Sequence, residues 1–472
     1  MVSKSKRALA LLLTAMMSAA ALAGCGPTEV TQNSTGGTST ESKAAGDSGD
    51  SGDGESKASA EAVDIYTDEM TKTIQEKMKE EAAATDGKIS LKLWCAADDR
   101  TFEKSRVDAF KKLYEAEGFE LDIKLKSIGE GEAGGKILES PKDGADVFNF
   151  ADDQLSSLVE SKAIAPVIDL FNNNVIANNS EETVNAYQID GTPYAFPKTS
   201  DNGYFLYYDK SVYPDEKDVA SLDDMIATAA SKNKSVYFNL GNGWYNAAFY
   251  FSAGVSIKYE NGVQSATFDT DEGFNAAKAM CHVAESVGKG FVGTDGGSGD
   301  NTAVAKGFKD GTLAAAVIGT WEGPAIRDAI GAENLGAAKL PTALINGEQK
   351  QLESFGGYKL VGVNQFTKYP VTSQTLAYFL TNTESQLERY KTRGLIPTDL
   401  TALEDKDVAA DPARKAIEDQ QPFSHGQGSS VGGKYWSTNV GGFGGTIVTQ
   451  KGKISDDELK KSLKSIQTQI DT

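Results

Sequence analysis

Strand-like and helix-like patterns take turns along this chain from Ile89 to its end. Ile89-Ser-Leu-Lys-Leu-Trp94 alternates with period two, Arg106–Glu117 repeats apolar residues at helical spacing, and Phe119–Leu125 alternates again. Period two sends successive side chains to opposite faces of a sheet, and a spacing of three or four lines one face of a helix, so this stretch reads as a βαβ beginning. Asp146-Val-Phe-Asn-Phe150 continues as a buried strand, with a helix near Gln154–Glu160. Gly311–Ile318 and Tyr358–Val363 are later strands, a helix covers Ser373–Leu380, and Ser455–Ile470 is an amphipathic closing helix. Such alternation predicts open α/β sheets. Residues 88 to 472 are more than one hydrophobic core supports, which predicts two lobes, each with its own sheet.

The N-terminus is of another kind. Lys4, Lys6 and Arg7 precede an apolar run from Ala8 to Ala23 with no acidic residue, the pattern of a signal peptide over residues 1–24. The run is shorter than the ~20 apolar residues of a permanent spanning helix. It closes on Leu22-Ala23-Gly24-Cys25, which resembles the lipobox of bacterial lipoproteins. Cys25 is therefore expected to carry diacylglycerol and to anchor the chain outside the cytoplasmic membrane. Residues 25–60 are Gly, Ser, Thr, Asp, Glu and Lys with almost nothing to bury, and read as a flexible tether. A leading helix is expected within 61–87, where Ile65, Met70, Ile74 and Met78 repeat at helical spacing.

Charge and composition exclude several functions. Loss of residues 1–24 removes three cations and no acid, taking the formal charge from −20 to −23, so nucleic acid is not an expected partner. Cys95 and Cys281 are too few for a disulfide scaffold, and His282 and His425 lack zinc-ligand spacing, so neither a metal nor a cofactor is expected.

Two glycine motifs fail on chemistry. Gly129-Glu-Gly131-Glu-Ala-Gly134 satisfies G-x-G-x-x-G between a strand and a helix, yet Glu130 and Glu132 would face a pyrophosphate. Gly428-Ser-Ser-Val-Gly-Gly433-Lys434 starts like a phosphate loop, but Tyr435 stands where a magnesium-binding hydroxyl is needed. Gly428-Ser-Ser430-Val-Gly432 fits a nucleophile elbow, but no histidine follows Ser430.

The positive signal is aromatic. Trp94, Trp244, Trp321 and Trp436 each lie at a strand end or beside Gly or polar residues. A sugar ring, apolar on its face and polar at its rim, needs flat aromatic platforms beside carboxylates, amides or guanidinium groups. Asp98-Asp99-Arg100 and Asp152-Asp153-Gln154 follow predicted strands at their carboxyl ends, where open α/β sheets bind ligands. The same residues equally suit a plainer role, the aspartates as helix caps and the aromatics as core.

A set of segments then occurs in order: Gly191-Thr-Pro-Tyr-Ala-Phe-Pro197, Leu206-Tyr-Tyr-Asp-Lys210, Lys258-Tyr-Glu-Asn-Gly262, Ala305-Lys-Gly-Phe-Lys-Asp-Gly311 leading to Ile318-Gly-Thr-Trp321, and Tyr435-Trp436. With them the chain resembles the extracellular solute-binding proteins of carbohydrate ABC importers, most of all the maltose/maltodextrin-binding branch, from about Ile89 to Ile470. The resemblance implies a two-lobed periplasmic-binding-protein-like fold with the ligand crevice at the hinge. Lobe 1 would take 88–200 and 354–400, lobe 2 201–353 and 401–472. It implies ligand contacts from Asp98, Asp99 with neighbouring Arg100, Glu132, Phe150 and Asp153 in lobe 1. Asp201 would lie at the hinge, and Trp244 or Tyr245, Trp321, Tyr435 and Trp436 would contact the ligand from lobe 2.

Four positions depart from the family pattern: Asp99 stands for a lysine, Gln154 for an arginine, Phe150 for a tryptophan and Asn242-Gly243 for an acidic residue. The implied function is non-catalytic delivery of a maltodextrin-like oligosaccharide, by a lipid-anchored monomer, to ABC permease subunits. A lipid-anchored glycoside hydrolase remains an alternative, since paired carboxylates among aromatics also suit that chemistry. A binding protein for a peptide or amino acid is a further one.

Overall fold

The computed structural model describes residues 68–260, 262–295 and 302–472, so the leader, Cys25 and the tether lie outside the described residues. Two five-stranded sheets organise the rest. In the first, the order is Glu120–Ser127, Lys88–Cys95, Val147–Ala151, Lys359–Val363, Ala195–Thr199. The first three strands are parallel, and Lys359–Val363 runs antiparallel to both of its neighbours. In the second, the order is Phe291–Val292, Ser235–Tyr237, Leu313–Ile318, Phe205–Asp209, Leu335–Ala338, with Phe205–Asp209 antiparallel to both neighbours. The strands Val147–Ala151, Phe205–Asp209 and Leu313–Ile318 inside the sheets, and Ala195–Thr199 at the edge of the first, are buried at every residue, as sheets covered on both faces require.

Each sheet has its own core. One gathers residues from Met70 to Phe196 and from Leu360 to Leu380, the other from Tyr204 to Phe355 and from Ala413 to Ile470. The backbone passes from the first core to the second at 200–204, returns at 353–358, and crosses again after helix Thr383–Arg393. At the return, Ser354–Gly356 pairs in parallel with Ser424–Gly426.

The helix Asp68–Ala83 buries Met70, Ile74 and Met78 in the first core. Near its end Glu81 accepts the backbone N–H groups of Val371 and Thr372 at 2.7 and 3.1 Å and the Thr372 hydroxyl at 2.6 Å. These donors open helix Pro370–Thr381, which has no side-chain cap from its own N-cap residue, so a carboxylate from another helix satisfies them. Glu81→Ala is expected to cost ~1–2 kcal/mol, read as a lower urea midpoint at unchanged slope.

Candidate functional site

The loops at the carboxyl ends of the parallel strands face the second lobe. After Lys88–Cys95 come Asp98, exposed and bonded to Arg393 Nη2 at 2.6 Å, and Asp99, which is 2% exposed. Asp99 sits 2.7 Å from Lys198 Nζ and 3.6 Å from both Arg389 Nε and Arg393 Nε. Lys198, fully buried, also pairs with Glu103 at 3.4 Å and Glu130 at 3.3 Å. Burial pushes the Asp99 and Glu130 carboxyls up, but Lys198, aided at Asp99 by Arg389, outweighs it and holds both below the usual range. In Glu103 burial wins and the pKa is raised. Asp99 is thus committed to an internal charge network. Arg100 leans the other way, toward Ser127 Oγ at 3.4 Å, and Glu132 pairs with Lys136 along its own exposed helix.

The glycine run Gly129–Gly134 has a packing reason. Gly134 N–H donates to Gln154 Oε1 at 2.6 Å while Gln154 Nε2 donates to Glu130 O at 2.7 Å, and a Cβ on Gly134 would stand 2.4 Å from Gln154 Oε1. That run ties the two acidic loops together. Phe150, by contrast, has no exposed surface and packs against Phe148 at 5.4 Å, so it faces the core.

Across the cleft the aromatics converge. Trp244 opens helix Gly243–Ala253, whose cap Asn242 accepts the Trp244 N–H at 2.8 Å. Its ring lies 4.9 Å from Tyr204, 5.0 Å from Tyr245 and 5.8 Å from Trp321, and its Nε1 donates to Gln427 Oε1 at 3.1 Å. Trp321 lies flat against Gly319, where a Cβ would come within 1.9 Å of the ring. Lys359 Nζ, from the first lobe, stands 5.2 Å from the Trp321 ring centre. Tyr245 and Tyr435 are buried, Tyr435 donating its hydroxyl to Gly243 O at 2.8 Å. Trp436 keeps 40% of its surface exposed, and its Nε1 donates across the lobes to Asp153 Oδ2 at 3.1 Å.

Burial pushes Asp153 up to about 6, against the lowering effect of bonds from Trp436, Gln427 and Gln154. Beside Trp436 a groove of about 410 Å³ is lined by Asn239, Asn242, Asp295, Thr438 and the backbones of Gly241 and Gly441. Asp201 lies in the first crossing, 2% exposed. Its Oδ2 accepts the Thr320 hydroxyl of lobe 2 and the Ile396 N–H of the third crossing, the latter at 3.0 Å, so it ties three segments at the hinge.

A model of bacterial extracellular solute-binding proteins matches residues 105–416. The chain belongs to that family. Among related solute-binding proteins, the galactooligosaccharide-binding protein of Bacillus subtilis (strain 168) is 25% identical over 335 residues, 68% of this chain and 75% of that one. A maltooligosaccharide ABC transporter solute-binding lipoprotein of Streptococcus pneumoniae (strain ATCC BAA-255 / R6) is 29% identical over 210 residues, 42% of this chain and 47% of that one. Among solved solute-binding proteins, a maltodextrin-binding protein of L. casei BL23, without ligand, superposes with a TM-score of 0.65. It is 25% identical and covers 82% of this chain and 99% of that chain.

Of the sequence-expected residues, the structure gathers Asp153, Trp244, Trp321 and Trp436 around one cleft and keeps Phe150, Tyr245 and Tyr435 buried behind it. Sequence reasoning missed Lys359, Gln427 and Lys198. Lys198 had a readable signal, a lysine in the otherwise uncharged strand Ala195–Thr199, where a buried charge must have partners.

Proposed function

We propose that this solute-binding protein captures an oligosaccharide of maltodextrin type between its lobes and presents it to an ABC permease. The observation that carries the reading is Trp436, a half-exposed indole bonded to Asp153 of the opposite lobe beside an amide-lined groove. An aromatic face flanked by carboxylate and amide groups is what a sugar ring requires. The relatives, which bind galactooligosaccharide, maltooligosaccharide and maltodextrin by name, support the same ligand class. The lobes we assign are 88–200 with 354–400 and 201–353 with 401–472. Acylated Cys25 would hold them at the outer face of the membrane.

The action is binding without catalysis. A glycosidase needs two carboxyl groups facing each other across one bond. Asp152 and Asp153, neighbours in one turn, take separate partners: Tyr358 N–H for Asp152 and Trp436 for Asp153.

Calorimetry with maltose, maltotriose, xylo-oligosaccharides and manno-oligosaccharides tests the reading. Micromolar or tighter binding of an α-linked glucan, with no new reducing ends over hours, is expected. Binding of none of these sugars would overturn the sugar assignment, and turnover would overturn the non-catalytic one.

A further inference from the structure

Gln427 opens the short helix Gln427–Ser430, directly after the strand Ser424–Gly426 that pairs with the return crossing. It is 6% exposed, and its side chain meets three other segments. Its Oε1 accepts two bonds at 3.1 Å, one from Nε1 of Trp244 in lobe 2 and one from Nδ2 of Asn202 in the first crossing. An indole nitrogen can only donate, so the atom facing Trp244 is the amide oxygen and the orientation of the amide is fixed. Its nitrogen is left as the donor, and the Asp153 carboxyl of lobe 1 takes that bond. The Asn202 amide extends the chain to the Asp152 carboxyl.

One amide thus joins a lobe 1 carboxyl, a lobe 2 indole and the hinge. Two tryptophans at the cleft are registered against lobe 1 through Asp153: Trp436 by its own bond at 3.1 Å, and Trp244 by way of Gln427. Leaving either end of a buried amide unpaired is costly, so the groups at its two ends are held in one mutual geometry.

We propose, on the sugar reading above, that Gln427 is the positioning residue of the site, whose amide holds the Trp244 indole and the Asp153 carboxyl where one oligosaccharide meets both. Being buried, it acts through these two side chains.

The test compares Gln427→Glu and Gln427→Met with the wild type at about pH 7 and about pH 5. It uses maltotriose calorimetry and the indole N–H signals of nitrogen-15-labelled protein without sugar. Gln427→Glu keeps an oxygen for Trp244 and Asn202 but sets a second carboxylate against Asp153, so at the higher pH binding is expected to weaken at least about tenfold. Burial raises Asp153 to about 6, and paired carboxyls hold protons more tightly still. At the lower pH the carboxyl introduced at 427 is protonated and donates in place of the amide, so affinity relative to the wild type is expected to recover. Asp152, Lys258, Tyr259, Glu260 and His425 with its partner Glu353, on or bonded to the elements packed against this helix, are present in both proteins and cancel in the ratio.

Gln427→Met loses both ends of the amide and is expected to weaken binding at both pH values. In its sugar-free spectrum the Trp436 signal is expected to move together with that of Trp244, because Trp436 is bonded to Asp153, which has lost a donor. These signals decide the matter should the wild type not bind maltotriose, a result that would count against the sugar reading alone. A relative affinity of Gln427→Glu that does not change with pH, or an unmoved Trp436 signal in Gln427→Met, would overturn the positioning role.

Discussion

Trp436→Ala is expected to weaken oligosaccharide binding at least about thirtyfold, the ~2 kcal/mol or more that loss of an aromatic anchor costs. The unliganded melting temperature should move little. The ring is 40% exposed and its packing is one-sided, on Tyr435 at 4.9 Å and Phe355 at 6.3 Å. Truncating a fully buried aromatic would cost ~3–5 kcal/mol of stability instead. Trp436→Phe separates the indole face from its N–H: it keeps a platform and loses the bond to Asp153. Most of the affinity should therefore survive in it. A large drop in melting temperature with affinity retained in Trp436→Ala would remove this ring from the site.

Lys198→Met should be the most damaging single change to the first lobe, at ~3–5 kcal/mol, because it leaves buried carboxylates without their cation. Asp99 and Glu103 would keep Arg389, at 3.6 and 3.2 Å, whereas Glu130 has no second cation in direct contact. The loss must depend on pH. Asp99 and Glu130 have depressed folded-state pKa values, so their pairing stabilises the wild type above the ordinary carboxylate range and is lost as pH falls through the depressed values. In the variant the cations left to oppose burial are Arg389 and Arg393 at Asp99 and the more distant Lys359 at Glu130, so both pKa values rise. The stability gap should be widest near neutrality and narrow below about pH 4, as measured by denaturant midpoints. A gap of equal size at pH 4 and pH 7 would show that lost packing of the lysine stem, and not charge, is responsible.

How much of this was legible beforehand depended on the range of the interaction that decides it. The strands Lys88–Cys95 and Val147–Ala151, the helix Asp68–Ala83 and the α/β class follow from spacing within a few residues, and spacing is a property of the chain alone. The ordered segments around Gly191–Pro197, Ala305–Gly311 and Tyr435-Trp436 carried the family resemblance, and the family match at 105–416 spans the first two.

Tertiary structure decided the rest, for reasons visible in single residues. Tyr358–Val363 reads as a strand, but its antiparallel place between Val147–Ala151 and Ala195–Thr199 is set by partners far away in sequence. In a sheet buried on both faces, alternation no longer tells a ligand platform from core, which is why Phe150 could be read as a platform and lies in the core. Asp99 could be read as a ligand residue because nothing near it announces Lys198 or Arg389. Trp436 is left half-exposed by a contact with Asp153 that exists only once two lobes face each other. Local spacing determines which elements form. Which side chains among them remain free to meet a ligand is determined by burial and pairing between distant segments, and those come into being only when the chain is folded.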